Sequence, residues 1–133
     1  MAYWVMKSEP EVYSWPQLVQ DKGTSWNGVR NYQANNNMKA MKRGDEAFFY
    51  HSGDDKAIIG ITKIVKPWYL DPTDDTGRFG MVDIVPVRAL PQAVTLGALK
   101  ADASLKQMAF IRQGRLSVSP VTQQEWEKVL KFK

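Results

Sequence analysis

No cysteine occurs anywhere in the 133 residues, and histidine occurs once, at His51. The first absence removes disulfides, thiolate zinc sites and cysteine nucleophiles together. The second removes every metal site built on several imidazoles. Nor does any stretch approach the ~20 apolar residues that a membrane-crossing helix needs. The apolar opening Ala2–Met6 is cut by Lys7, Ser8, Glu9 and Pro10 well short of a signal-peptide core. These absences point to an intracellular chain, cytoplasmic, or nuclear in a eukaryote. No glycine run follows a strand and opens a helix at the spacing of a phosphate-binding loop, and there is no repeat, linker or low-complexity tract. No cofactor, no transition metal and no catalytic residue are expected; calcium or magnesium held by oxygen ligands stays open.

What is present describes one ordinary folded domain, residues 1–133. A hydrophobic share of 44% with 24% charged residues excludes disorder, and a chain of this length buries enough apolar surface to stand alone as a monomer. Eighteen Lys and Arg against fourteen Asp and Glu leave a net charge of +4 and a pI near 9.3. That balance permits phosphate contact without requiring it.

The pattern predicts strands at Ala2–Met6, Ala47–His51, Ala57–Val65 and Met81–Leu90, rich in β-branched and aromatic residues. Gly53-Asp54-Asp55 joins the second and third as a hairpin. Gly60 implies a bulge or a close backbone approach, and Pro86 an edge or a bulge. Ser14 with Gln17 and Pro16 starts a helix that closes near Gly23. Thr24–Asn31 reads as loop, Tyr32–Met41 as a second helix, and Pro67–Gly80 as a polar, turn-rich connection. Thr95–Leu99 and Ser104–Phe110 read as short capped turns, ended by Gly114. Leu116, Val118 and Val121 follow in an extended segment, and Thr122 with Glu125 makes a capping box for a last helix, Gln123–Leu130. Short helices between strands, without strand-helix alternation, argue for an α+β fold: a small mixed β-barrel of about five to six strands with short flanking helices.

Five Trp and five Tyr are many for this length. Trp26, Tyr32 and Trp68 fall in loops or at element ends, where a ring either caps the core or offers a face on which a base stacks. Near them lie Arg30, Asn31, His51 and Ser52. Asn31, His51 and Ser52, with Ser8, can both donate and accept, as the edge of a buried base demands, because each unpaired polar atom costs ~1–3 kcal/mol. His51 fits a pocket or a satisfied structural role equally well, and Ser8 fits a pocket or a local tie of its own loop. Lys7 and Arg115 suit phosphates or solvent.

Several motifs together resemble the EVE domain, a branch of the PUA-like superfamily similar in fold to YTH readers. They are Tyr3-Trp4-Val5-Met6-Lys7-Ser8-Glu9-Pro10, then Trp26-Asn27-Gly28-Val29-Arg30-Asn31-Tyr32-Gln33-Ala34, then Gly44-Asp45 with Phe49-Tyr50-His51-Ser52 and Gly60-Ile61. Arg115-Leu116-Ser117-Val118-Pro120-Val121 and Trp126 complete the set. Asn35 stands where that family often has Arg. The resemblance implies a PUA-like barrel whose pocket accepts a modified base, with methylated or hydroxymethylated cytosine in DNA favoured and RNA as the other strand type.

The leading reading is therefore a nucleic-acid-binding module rather than an enzyme. Its expected ligand-binding residues are Lys7, Ser8, Glu9, Trp26, Arg30, Asn31, Tyr32, His51, Ser52, Trp68, Arg115, Leu116 and Ser117. Trp26, Asn31, Tyr32, His51 and Ser52 are expected to face one cavity. The alternatives are a small hydrolase or nuclease using His51 with Glu9, and a reader or adaptor that engages RNA modifications or polypeptides.

Overall fold

The computed structural model describes residues 1–132. Six strands form one sheet: β1 (Tyr3–Ser8), β2 (Thr24–Ser25), β3 (Glu46–His51), β4 (Ala57–Leu70), β5 (Gly80–Thr95) and β6 (Val118–Val121), in the order β2-β5-β4-β3-β1-β6. Only β1 and β3 run parallel, with Trp4 beside Ala47 and Ser8 beside His51. The helices are α1 (Trp15–Asp21), α2 (Tyr32–Ala40), α3 (Leu96–Ala101), α4 (Ala109–Arg112) and α5 (Gln123–Leu130). The fold is α+β, with six strands and short flanking helices, as expected.

Both faces of the sheet are covered, which explains why β1 and β3 are continuously apolar rather than alternating. On one face Trp4, Met6 and Phe49 pack with Trp15 and Leu18 of α1 and with Ala34 and Met38 of α2. On the other, Val5, Phe48 and Tyr50 pack with Leu99, Phe110, Trp126 and Val129. The Trp126 ring stacks on Phe48 at 3.9 Å and on Tyr3 at 4.4 Å.

The helix starts follow the capping residues. The Ser14 hydroxyl accepts from the Gln17 N–H, and the Asn31 side chain accepts from the Ala34 N–H. Thr122 and Glu125 form the reciprocal box. One start differs: Asp102, not Ser104, caps its turn, accepting from the Ser104 N–H and hydroxyl. A 3-10 turn at Ala103–Leu105 and the four-residue α4 take the place of a longer helical segment.

Three strand boundaries differ more. β1 continues through Lys7 and Ser8. β4 continues through Pro67 to Leu70, because one extra residue is accommodated between the pairs Lys66–Asp83 and Tyr69–Met81. β5 runs on past Pro91 by a larger bulge between Ala89–Gly60 and Val94–Ile58. Trp68 thus lies in a strand rather than a loop. Gly60 is a close approach: a Cβ there would lie 2.6 Å from the Trp15 ring.

Candidate functional site

The Trp26–Arg30 loop is placed by three contacts. β2 pairs Thr24 with Ile84 and Ser25 with Asp83, and the Trp26 N–H donates to the Val82 carbonyl at 2.7 Å. Gly28 then turns the chain at φ 81°, a conformation that favours glycine. Its N–H donates at 2.8 Å to the buried carboxylate of Asp71, which also accepts from the Thr73 N–H and hydroxyl. Arg30 reaches the same carboxylate at 3.3 Å and the Thr73 hydroxyl at 3.0 Å. Burial pushes the Asp71 carboxyl up, but those hydrogen bonds together outweigh it and hold it below the ordinary carboxylate range.

Facing this loop are the end of β1 and the segment after it. The Lys7 N–H donates to the Ser117 carbonyl at 2.9 Å, which brings the approach to β6 alongside. The Ser8 hydroxyl donates to the Tyr13 carbonyl and folds the Glu9–Tyr13 segment over the strand end. The Tyr13 hydroxyl donates to Asp21 at 2.8 Å.

Between these walls lies a cavity of about 570 Å³, a size usual for small-molecule sites. Of the candidate binding residues, Lys7, Ser8, Glu9, Trp26, Arg30 and Ser117 line it. So do Val12, Tyr13, Thr24, Ser25, Asn27, Gly28 and Val29, which the sequence reading left out. Trp26 is partly buried, with its ring edge-on to Phe49 at 5.8 Å. The lining therefore combines two aromatic side chains, two valines, hydroxyls, a side-chain amide, and charges of both signs.

The other expected residues are not brought to this cavity. Asn31 is spent as the α2 cap and, with Arg115 and Leu116, borders a separate hollow of about 270 Å³. Tyr32, the first residue of α2, is exposed and lies against Phe79 at 5.0 Å. Ser52 lines another cavity, beside Lys7. Trp68 is a packing residue: its Nε1–H donates to Asn35 Oδ1 at 2.8 Å, and the same oxygen accepts from the Gly80 N–H at 3.0 Å. Asn35 is thus a buried joint between α2, β4 and β5.

His51 is buried and lines none of these cavities. Its Nε2 accepts from the Trp15 N–H at 2.9 Å, and its Nδ1 lies 3.0 Å from Asp55. The neutral tautomer with hydrogen on Nδ1 satisfies both contacts. The ring therefore holds the first N–H of α1 to the end of β3, leaving no free nitrogen for proton transfer. Glu9 lines the large cavity without it, so the acid-base pair of the hydrolase reading is not assembled. Among the described residues no group of three or more His, Asp or Glu could hold a metal ion, and no helix is long and apolar enough to cross a membrane.

The EVE-domain family model matches residues 2–132. Human thymocyte nuclear protein 1 is 38% identical, over 97% of this chain and 72% of its own length. Among solved structures, a protein from Rhodopseudomonas palustris is 50% identical with a TM-score of 0.93, covering 98% of this chain and 92% of that one. The human THYN1 protein in complex with 5-methylcytosine-containing DNA is 38% identical with a TM-score of 0.89, covering 98% and 96%. An ASCH protein from Zymomonas mobilis shares the fold at 12% identity and a TM-score of 0.60.

Proposed function

The chain belongs to the EVE-domain family, and from that premise we propose that it is a nucleic-acid-binding module, not a catalyst, which takes a modified base into the cavity beneath Trp26. The observation that carries the reading is the lining itself. Three segments of the chain, Lys7–Tyr13, Thr24–Arg30 and Ser117, bring two aromatic side chains, Tyr13 and Trp26, and a set of donors and acceptors around a single cavity. The co-structure of the human relative with 5-methylcytosine-containing DNA favours methylated cytosine in DNA as the ligand.

The base leaves its strand at a cost of a few kcal/mol. Stacking on Trp26 returns ~1–3 kcal/mol. Thr24, Ser25, Asn27 and Ser117 supply hydrogen bonds to its edge, and Val12 and Val29 supply apolar contact for a 5-methyl group. Lys7 and Arg30 stand at the same cavity, where phosphates flanking the base need cations. Nothing in this sequence of events makes or breaks a covalent bond, and no cofactor or second subunit is required.

The test is affinity for matched oligonucleotides carrying cytosine, 5-methylcytosine, 5-hydroxymethylcytosine or methylated adenine, in DNA and RNA, at one stated salt concentration. Moving a methyl group from water into apolar contact is worth ~0.8 kcal/mol, about fourfold in affinity. We expect at least that preference for 5-methylcytosine DNA over its unmodified match. Equal affinity across the panel would remove the modified-base assignment. Binding to none of it, with capture of a polypeptide instead, would favour an adaptor.

A further inference from the structure

A second cavity, of about 230 Å³, shares Lys7 with the first. Lys7, Lys56 and Lys100 converge on it, with Ser52 beside them and Tyr50 and Phe110 as part of its apolar wall. None of the three lysines has a salt-bridge partner among the described residues. No carboxylate of the described residues lines the cavity. The neighbouring hairpin does carry acids, but Asp54 and Asp55 line a different hollow with Glu9, and Asp55 is engaged by His51. The two sides of this hairpin are therefore segregated by charge.

Exposed lysines ordinarily spread into solvent. Lys7 does not: it is half-buried, its Nζ donates to the Gly114 carbonyl at 2.6 Å, and it lies 4.9 Å from the centre of the Phe110 ring. Burial disfavours its charged form and pushes its pKa down. Three lysines lining one small hollow, with no carboxylate of the described residues beside them, favour an anion with several acceptor oxygens.

We propose that this second cavity is a phosphate subsite, and that Lys7, common to both cavities, couples it to the base site. That the phosphate belongs to the strand flanking the bound base rests on the function proposed above. A free phosphate or polyphosphate offers the same chemistry.

Two arms separate these sources, using the wild-type chain and the Lys56→Gln/Lys100→Gln variant. Lys7 is left intact because it also lines the base cavity. In the first arm pyrophosphate is titrated and amide shifts are followed by NMR. We expect saturable shifts at Ser52, Gly53, Lys56 and Gly114 in the wild type and their loss in the variant, whose remaining spectrum reports its folding. Absence of saturable shifts in the wild type overturns the subsite. Should the double variant not fold, Lys100→Gln alone, at an exposed helix position, must weaken the same shifts.

In the second arm the salt dependence of oligonucleotide affinity is measured. The slope of log K against log salt should flatten by about 0.7–0.9 in the variant, the amount carried by one neutralised phosphate. An unchanged slope with intact pyrophosphate binding overturns the strand as the source and assigns the cavity to free phosphate. A wild type that takes pyrophosphate but no oligonucleotide overturns the base-binding function and supports the subsite.

Discussion

Replacing Trp26 by alanine separates a ring that stacks on a ligand from a ring that merely fills the core. A fully buried Trp truncated to alanine costs ~3–5 kcal/mol of stability. Trp26 is only partly covered, and its aromatic contact within the protein is the edge-on approach to Phe49 at 5.8 Å. Its backbone pairing to Val82 survives truncation. About half the full cost follows, roughly 1.5–2.5 kcal/mol. If the exposed face stacks on a base, affinity should also fall by ~1–3 kcal/mol, about five- to 150-fold. Urea denaturation and oligonucleotide binding on the same variant supply both numbers, and Trp26→Phe should recover much of each. A Trp26→Ala protein that loses 4 kcal/mol or more (about the full core cost), or one that binds as well as wild type, would refute the reasoning.

His51→Phe keeps the ring volume but strips the buried Trp15 N–H of its acceptor, so a loss of about 1–3 kcal/mol in denaturation is expected. Oligonucleotide affinity should change little, because His51 lies off the cavity; a large affinity loss in a stable variant would return His51 to the site. Asp71→Asn should cost about 1–3 kcal/mol and loosen the Gly28–Arg30 lip. Because the folded-state pKa of Asp71 is depressed, its contribution is complete above the ordinary value of 3.8 and fades as pH falls through the lower folded value. The stability gap between wild type and Asp71→Asn should accordingly narrow below about pH 4, as acid titration of the denaturation midpoint will show. Gly60→Ala forces a methyl against the buried Trp15 ring and should destabilise by about 1–3 kcal/mol; a neutral result would mean that Trp15 yields easily.

Much of the fold was legible because its signals are local. The caps at Ser14 and Thr122, the Gly53–Asp55 hairpin and the apolar runs of β1 and β3 depend on neighbours a few residues away. Pro67 misleads, since a proline is compatible with a strand once a bulge excuses its missing N–H, and bulges depend on the partner strand. β2 is two residues long and exists only because β5 is there to pair with it.

The cavity was half legible. Trp26 and Arg30 announced themselves, but Asn27–Val29 carry no strong chemical signal; their role follows from the Gly28 turn and its tether to Asp71, 43 residues away. Asn31 and Tyr32 suit such a cavity by chemistry alone, as a two-way hydrogen-bonding group and a ring at an element end. The helix-capping preference of Asn was the available warning: once Asn31 is bound to the Ala34 N–H, α2 carries Tyr32 away. His51 had two readings that composition could not separate, and the N–H of Trp15 decides for the structural one.

The most direct measurement is the NMR signal of a 13C-labelled 5-methyl group on cytosine, in a DNA oligonucleotide bound to the wild-type chain. With the base stacked beneath Trp26, the methyl resonance should move upfield under the indole ring current and show through-space contacts to Trp26 and to the Val12 or Val29 methyls. A bound methyl group with an unshifted resonance, or with contacts only to residues outside the Lys7–Tyr13 and Thr24–Arg30 walls, would contradict it.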